Sequence, residues 1–215
     1  MNGLVEKDLR LIFQNRQVVL LFLIMAGVVG FAQDGTFILG YLSFMFTILL
    51  TSTISYDELD HGFEFLMTLP ITTRTYVKEK YGLCVAGTIF SVLVSGIIYL
   101  IAKGMKGEQI LMNEDIPMIL VFVPIIWCVI ALMIPLQLKF GAEKGRIVIL
   151  LVYGCGAALI FLLMKHVEEE KVKIAMEFLN QLNMWEILLG LYLIGLVLLV
   201  ISYSISKKVM EQKEY

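Results

Sequence analysis

Between two long apolar runs lies the segment whose side chains are best arranged for recognition, Tyr56 to Lys80. Ser55-Tyr56-Asp57-Glu58 has the form of a capping box, Ser at the cap and Glu three residues on. At 100° per residue the next turns put Leu59, Phe63 and Leu66 on one face and Asp57, Asp60 and Glu64 on an adjoining one. Leu69-Pro70 ends that helix, and Thr72 and Thr73 cap a second one carrying Arg74, Lys78 and Lys80. Apolar anchors with a charged rim suit a helix that seats in a groove on a protein partner. The alternative is an interfacial helix resting on lipid; its acidic residues tell against that, because the inner leaflet is itself anionic.

Other chemistry is missing. A site for ATP needs a Gly-rich loop ending in Gly-Lys-Ser/Thr, and Gly141-Ala142-Glu143-Lys144-Gly145 is not one. Any driving ATP, with its Mg, is therefore expected in another chain. The apolar runs contain no His, which disfavours intramembrane metalloproteases and serine proteases. They contain no Asp, Glu, Lys or Arg either, which weighs against proton- or sodium-coupled transport. Cys84, Cys128 and Cys155 each fall inside a run and read as packing residues, not as a disulfide or metal set. No catalytic, cofactor or metal residue is expected, and nothing directs the chain to nucleic acid.

The elements that must position the recognition segment are the runs themselves: 18–32, 36–55, 81–102, 116–138, 147–164 and 187–206. A helix of about 18 or more apolar residues spans a hydrocarbon core of about 30 Å. Hydrophobic residues make up 59% of the 215, charged ones 17%, and the mean hydropathy is +0.86. The expectation is an all-α polytopic membrane protein with six spans. The first run is short and can lengthen by drawing in 11–17, with Arg16 snorkelling. Gly30 and Ala32 before Gln33 also permit a signal-peptide reading, opposed by an N-terminal segment that looks structural.

Leu4, Val5, Leu9, Ile12 and Phe13 recur at 3–4 spacing, so 1–16 reads as an interfacial helix or as an extension of the first span. With both ends cytoplasmic, the outer loops hold only Lys103, Lys106, Lys165, Lys171 and Lys173 of the seventeen basic residues, and this asymmetry sets the orientation. It places His61 and His166 on opposite sides, where they cannot share a metal. Asp34-Gly35 marks an outer turn, 139–146 an inner one, and 165–183 an outer amphipathic stretch that opens with a solvated acidic run. Pro124, mid-span, should kink the fourth helix, as a static bend or a hinge. Gly82, Gly87, Gly96, Gly154, Gly156, Gly190 and Gly195 are placed to let helices approach closely. Twelve Met and thirteen Phe offer soft apolar surface, suited to lipid contact or to hydrophobic cargo.

The segment Tyr56-Asp57-Glu58, followed by Leu69-Pro70-Ile71-Thr72-Thr73-Arg74, resembles the inner loop of small permeases of ABC transporters of the type-2 exporter kind. Glu6-Lys7-Asp8-Leu9 in the first helix, the six spans and the length also match that family, with Thr73 a one-residue departure. Within it the chain is similar to the short permeases of peptide exporters, such as those for phenol-soluble modulins in Gram-positive bacteria. The resemblance implies that 56–80 is a cytoplasmic coupling segment seated in a separate ATPase, through Tyr56, Asp57, Glu58, Leu59, Phe63 and Leu66, with Arg74 near its exit. It implies a second permease copy or a related chain, amphipathic peptide as cargo, and a bacterial plasma membrane as the location. The rival reading is a non-transporting assembly, immunity or sensing subunit that binds its partner through the same loop.

Overall fold

The computed structural model describes residues 2–14, 16–32, 36–58, 62–63, 68, 71–166 and 183–212. The described residues form six helices and no strand: α1 Asn2–Gln14, α2 Arg16–Ala32, α3 Thr36–Glu58, α4 Thr73–Met105, α5 Met112–His166 and α6 Met184–Gln212. The Asp34-Gly35 turn, Leu59, Leu66, the Leu69-Pro70 break and the outer stretch 167–182 lie outside the described residues.

Among the described residues, four helices are long and apolar enough to cross a bilayer: α3, α4, Met112–Gly141 of α5, and α6. A fifth is gained if Gly3–Gln14 of α1 and Arg16–Val28 of α2, at 64° to each other, count as one broken span. The run 18–32 belongs to a helix of 17 residues, and the run 147–164 to the second arm of α5. Among the described residues, four of the expected spans are met, and a fifth if the bent pair is one span.

α4 is longer than its apolar run. Its 33 residues extend about 50 Å at 1.5 Å per residue, against a hydrocarbon core of about 30 Å. The apolar stretch 81–102 is the spanning part, and residues 73–80 project beyond it. Thr72 caps the helix, its Oγ1 accepting from the Thr75 N–H at 3.2 Å. At the far end the chain leaves through Gly107, whose φ of 73° lies in the left-handed region that follows many helices.

Side chains on two faces join the helices. One is a seam of buried hydroxyls between α3 and α4, where Ser43 and Ser95 meet at 3.1 Å. Thr47, Thr51, Thr88 and Ser91 bond carbonyls of their own helices, so the seam is polar yet satisfied. The other is tyrosine-based: the Tyr81 hydroxyl lies 2.5 Å from Ser202 Oγ and 2.8 Å from Ser206 Oγ, while Ser202 donates to the Ala131 carbonyl. That ties α4, α5 and α6 together. Among the glycines read as contact points, a Cβ on Gly87 would overlap Leu50, on Gly96 Ile119, and on Gly195 would touch Trp127 and Pro124. At Gly82, Gly154, Gly156 and Gly190 no described atom stands within 4 Å of such a Cβ.

The expected inner turn at 139–146 is tighter than the sequence implied. α5 departs from helical dihedrals at one residue, Gly141, with φ 78° and ψ −177°. The chain reverses there: a Cβ on Gly145 would stand 3.6 Å from the Cα of Gln137, although eight helical residues would advance about 12 Å. Pro117, Pro124 and Pro135 all sit within helix, so the break falls at glycine instead of at proline. Those dihedrals are accessible essentially to glycine alone. Gly141→Ala is therefore expected to lower stability by about 1–3 kcal/mol, whereas Gly154→Ala, in open space, leaves the unfolding midpoint in detergent unchanged. Equal midpoints for the two variants would contradict the assigned break.

Candidate functional site

The sequence directs attention to the α3–α4 segment, and the structure sets a buried ionic network where that segment leaves the bundle. Its centre is Lys80, whose side chain is 1% exposed. Lys80 occupies a core position because it continues the stripe Tyr76, Cys84, Thr88, Ser91 and Ser95, all buried on one side of α4. Its Nζ donates to Asp8 Oδ2 of α1, pairs with Asp57 Oδ2 of α3 at 2.8 Å, and donates to Thr53 Oγ1 at 3.1 Å. Asp57 also accepts from Lys7 Nζ and, at 2.8 Å, from the Tyr76 hydroxyl. Lys80 lies over the Tyr76 ring, 5.2 Å from its centroid. Two cations thus balance two carboxylates, and α1, α3 and α4 are joined by them.

Around this core the residues expected to dock a partner divide into two groups. Asp57 is inside the network, and Phe63 is buried with its ring edge-on to Tyr76 at 5.1 Å. Tyr56 is 43% exposed, and Arg74 is exposed where its Nε donates to Glu211 of α6 at 3.0 Å. Glu58 is half-buried, its carboxylate against the Gly141 backbone, where a Cβ would come within 2.6 Å of both oxygens. The start of α4, the ends of α3 and α6 and the break in α5 therefore share one end of the bundle. Leu59 and Leu66 lie outside the described residues.

Sequence reasoning missed Asp8 and Lys80. Of the apolar residues read on α1, Leu4 and Ile12 are buried and Leu9 and Phe13 are exposed, and Asp8 is buried between Leu4 and Ile12. The signal was available: Asp8 stands midway between two buried apolar residues at i−4 and i+4, a placement that demands a partner. Lys80 was read as a flanking charge, but it stands four residues from Tyr76 and from Cys84.

A second feature lies toward the opposite end of α3. Phe37, Tyr41 and Phe44 of α3 face Phe122, Ile125 and Val129 of α5 across a groove of about 950 Å³, with Lys106 at its edge. The Phe37 and Tyr41 rings stack at 5.8 Å, and Gly40 admits the Phe122 ring. The lining is apolar and aromatic, the chemistry of a hydrophobic ligand site. No group of three or more His, Cys, Asp or Glu that could hold a metal is present among the described residues.

Long apolar helices, joined at one end of the bundle by a buried ionic network, define a multi-pass helical membrane protein. The chain belongs to the ABC-2 family of transporter proteins: a family model described as "ABC-2 family transporter protein" matches residues 3–211. No curated protein and no solved structure matches it.

Removing one member of a buried ion pair strands the other, at a cost of about 3–5 kcal/mol. Lys80→Met is expected to destabilise the detergent-solubilised chain by about that much. Lys7→Met should cost less, because the Lys7 side chain is 31% exposed and water can replace it. Chemical unfolding of the two variants reads the difference; equal losses would mean that the network has no buried centre.

Proposed function

We propose that this chain is the permease subunit of an ATP-driven exporter and that 56–74 is the coupling segment on which a separate ATPase pulls. Membership of the ABC-2 permease family supports a non-catalytic membrane subunit, and such permeases generally work with an ATPase partner. The observation that carries the coupling assignment is the attachment of Asp57. The residue at the root of the segment is bonded to Lys7, Tyr76 and Lys80, so displacement of the segment is passed to α1 and α4 as well as α3. In this reading Tyr56 and Arg74 meet the partner, while Asp57 and Phe63 hold the segment to the bundle.

The cargo proposed is an amphipathic peptide or another hydrophobic compound, moved out of the cell by a pair of permease chains. The aromatic groove between α3 and α5 supports an apolar cargo, and the lack of ionisable residues in the apolar stretches supports an external energy source. In this reading both chain ends lie in the cytoplasm and the membrane is a bacterial plasma membrane, in keeping with the resemblance to peptide exporters.

Two measurements test this. A cysteine at Tyr56, in a background lacking Cys84, Cys128 and Cys155, should react with a membrane-impermeant maleimide only from the cytoplasmic side, and one at Glu108 only from outside. The reverse pattern would remove the coupling segment from the ATPase. Reconstituted with its cognate ATPase, the chain should raise ATP turnover when amphipathic peptide is added, and Tyr56→Asp should abolish that stimulation while leaving the chain folded. A complex that forms but whose turnover ignores every cargo tested would favour the non-transporting reading.

A further inference from the structure

The network has one member that its ion pairs do not use. Glu79 projects from α4 beside Lys80, is 1% exposed, and has no hydrogen-bond partner at either carboxylate oxygen. It stands two residues before the apolar stretch 81–102, in the projecting part of α4. The charged and titratable groups within electrostatic reach come from every element around it: Lys7 and Asp8 from α1, Asp57 from α3, and Tyr76, Lys80 and Cys84 from α4. The two lysines are already balanced by Asp8 and Asp57, and the Lys80 Nζ is committed to Asp8, Asp57 and Thr53. A third carboxylate in this group would leave one uncompensated negative charge away from water, and an isolated buried charge neutralises instead of persisting. Asp8 Oδ1 is a further buried carboxylate oxygen that accepts no hydrogen bond, its contact with Lys7 being an ion pair at 3.3 Å.

We infer that Glu79 is a proton-binding site: in the assembled network it is the neutral acid, and its one proton sets the network's charge balance at zero. When that proton passes to water, the remaining carboxylate adds a third negative charge to Asp8 and Asp57, and the seat of α1 on α3 and α4 weakens. The inference concerns this chain's own assembly and holds whatever the cargo. It also places an acidic group at the end of a bundle whose apolar stretches contain no Asp, Glu, Lys, Arg or His.

A carboxyl that holds its proton more tightly folded than unfolded stabilises the fold at low pH, and that contribution fades as pH rises through its folded titration range. Burial pushes the Glu79 carboxyl up from its ordinary value to about 7. The purified full-length chain in nanodiscs is therefore expected to lose thermal stability as pH rises from about 4.5 to about 7, and Glu79→Gln, which keeps the neutral shape, should abolish that slope. Infrared difference spectra of the wild type at neutral pH should contain a protonated carboxylic acid band that shifts in heavy water and is missing from Glu79→Gln. If the variant retains the wild-type slope, or if the wild type has no acid band, Glu79 is ionised and the inference fails. Should the variant not fold, the wild-type band alone decides. Repeating the pH series in sodium chloride and in choline chloride separates the proton from a metal cation: a slope removed by sodium alone would assign the site to sodium and overturn the proton.

Discussion

A lysine cut off from water governs how one end of this molecule is put together. Taking a charge out of water costs several kcal/mol unless it is paired and hydrogen-bonded. Lys80 is paired with Asp8 from α1 and with Asp57 from α3. Departure of α3 or α4 would strand charge on the helices left behind, and departure of α1, which carries both Lys7 and Asp8, would cost Lys80 and Asp57 a partner each. Apolar side chains of similar volume often give equal or greater stability. What they would not supply is the restriction to one arrangement, because lipid-facing apolar surfaces can slide or rotate against one another at little cost.

The same device recurs at the other end of α4. There Tyr99 and Lys103, spaced like Tyr76 and Lys80, close on Asp115 of α5: the Tyr99 hydroxyl donates at 2.8 Å and the Lys103 Nζ at 2.6 and 2.9 Å. Asp115 also accepts the Leu111 N–H, which fixes the first turn of α5. Each clamp places a tyrosine and a lysine one helical turn apart, with the ammonium near the ring and a carboxylate from a neighbouring helix between them. α4 is thus a post pinned at both ends by ionic contacts and in the middle by the hydroxyl seam to α3. The repeated Tyr-x-x-x-Lys spacing at the borders of one apolar run is visible in the sequence; its meaning depends on Asp57 and Asp115, which come from separate helices.

Apolar runs were legible because lipid imposes a composition that few soluble segments share, and the runs 36–55, 81–102, 116–138 and 187–206 all lie in helices that meet the length requirement. The run 18–32 lies in a bent helix pair, and the run 147–164 follows the Gly141 reversal. The apolar periodicity of α1 found Leu4 and Ile12 but not Asp8, which is buried between them because it has Lys80 as its partner. Pairing across 72 residues leaves no trace in local periodicity. The α5 break was assigned to a whole turn because its charged residues look like a loop. A single glycine suffices, since its dihedrals reverse the chain and its missing side chain makes room for Glu58.

The division between ends and middle bears on how the exporter reading would work. Side chains in the apolar stretches are neutral, so no charge there has to cross low dielectric when helices shift, and the hydroxyls are already satisfied within their own helices. Resistance to motion is therefore concentrated in the clamps. A force applied at the root of the Tyr56–Arg74 segment acts first on Asp57, and through Lys80 on a helix about 50 Å long whose other end is fixed to α5 by Asp115. A rod held at both ends by directional bonds tilts or translates as one body before it bends. Movement at one end then reaches the Lys106 edge of the aromatic groove through α4, without any rearrangement among the apolar contacts between them.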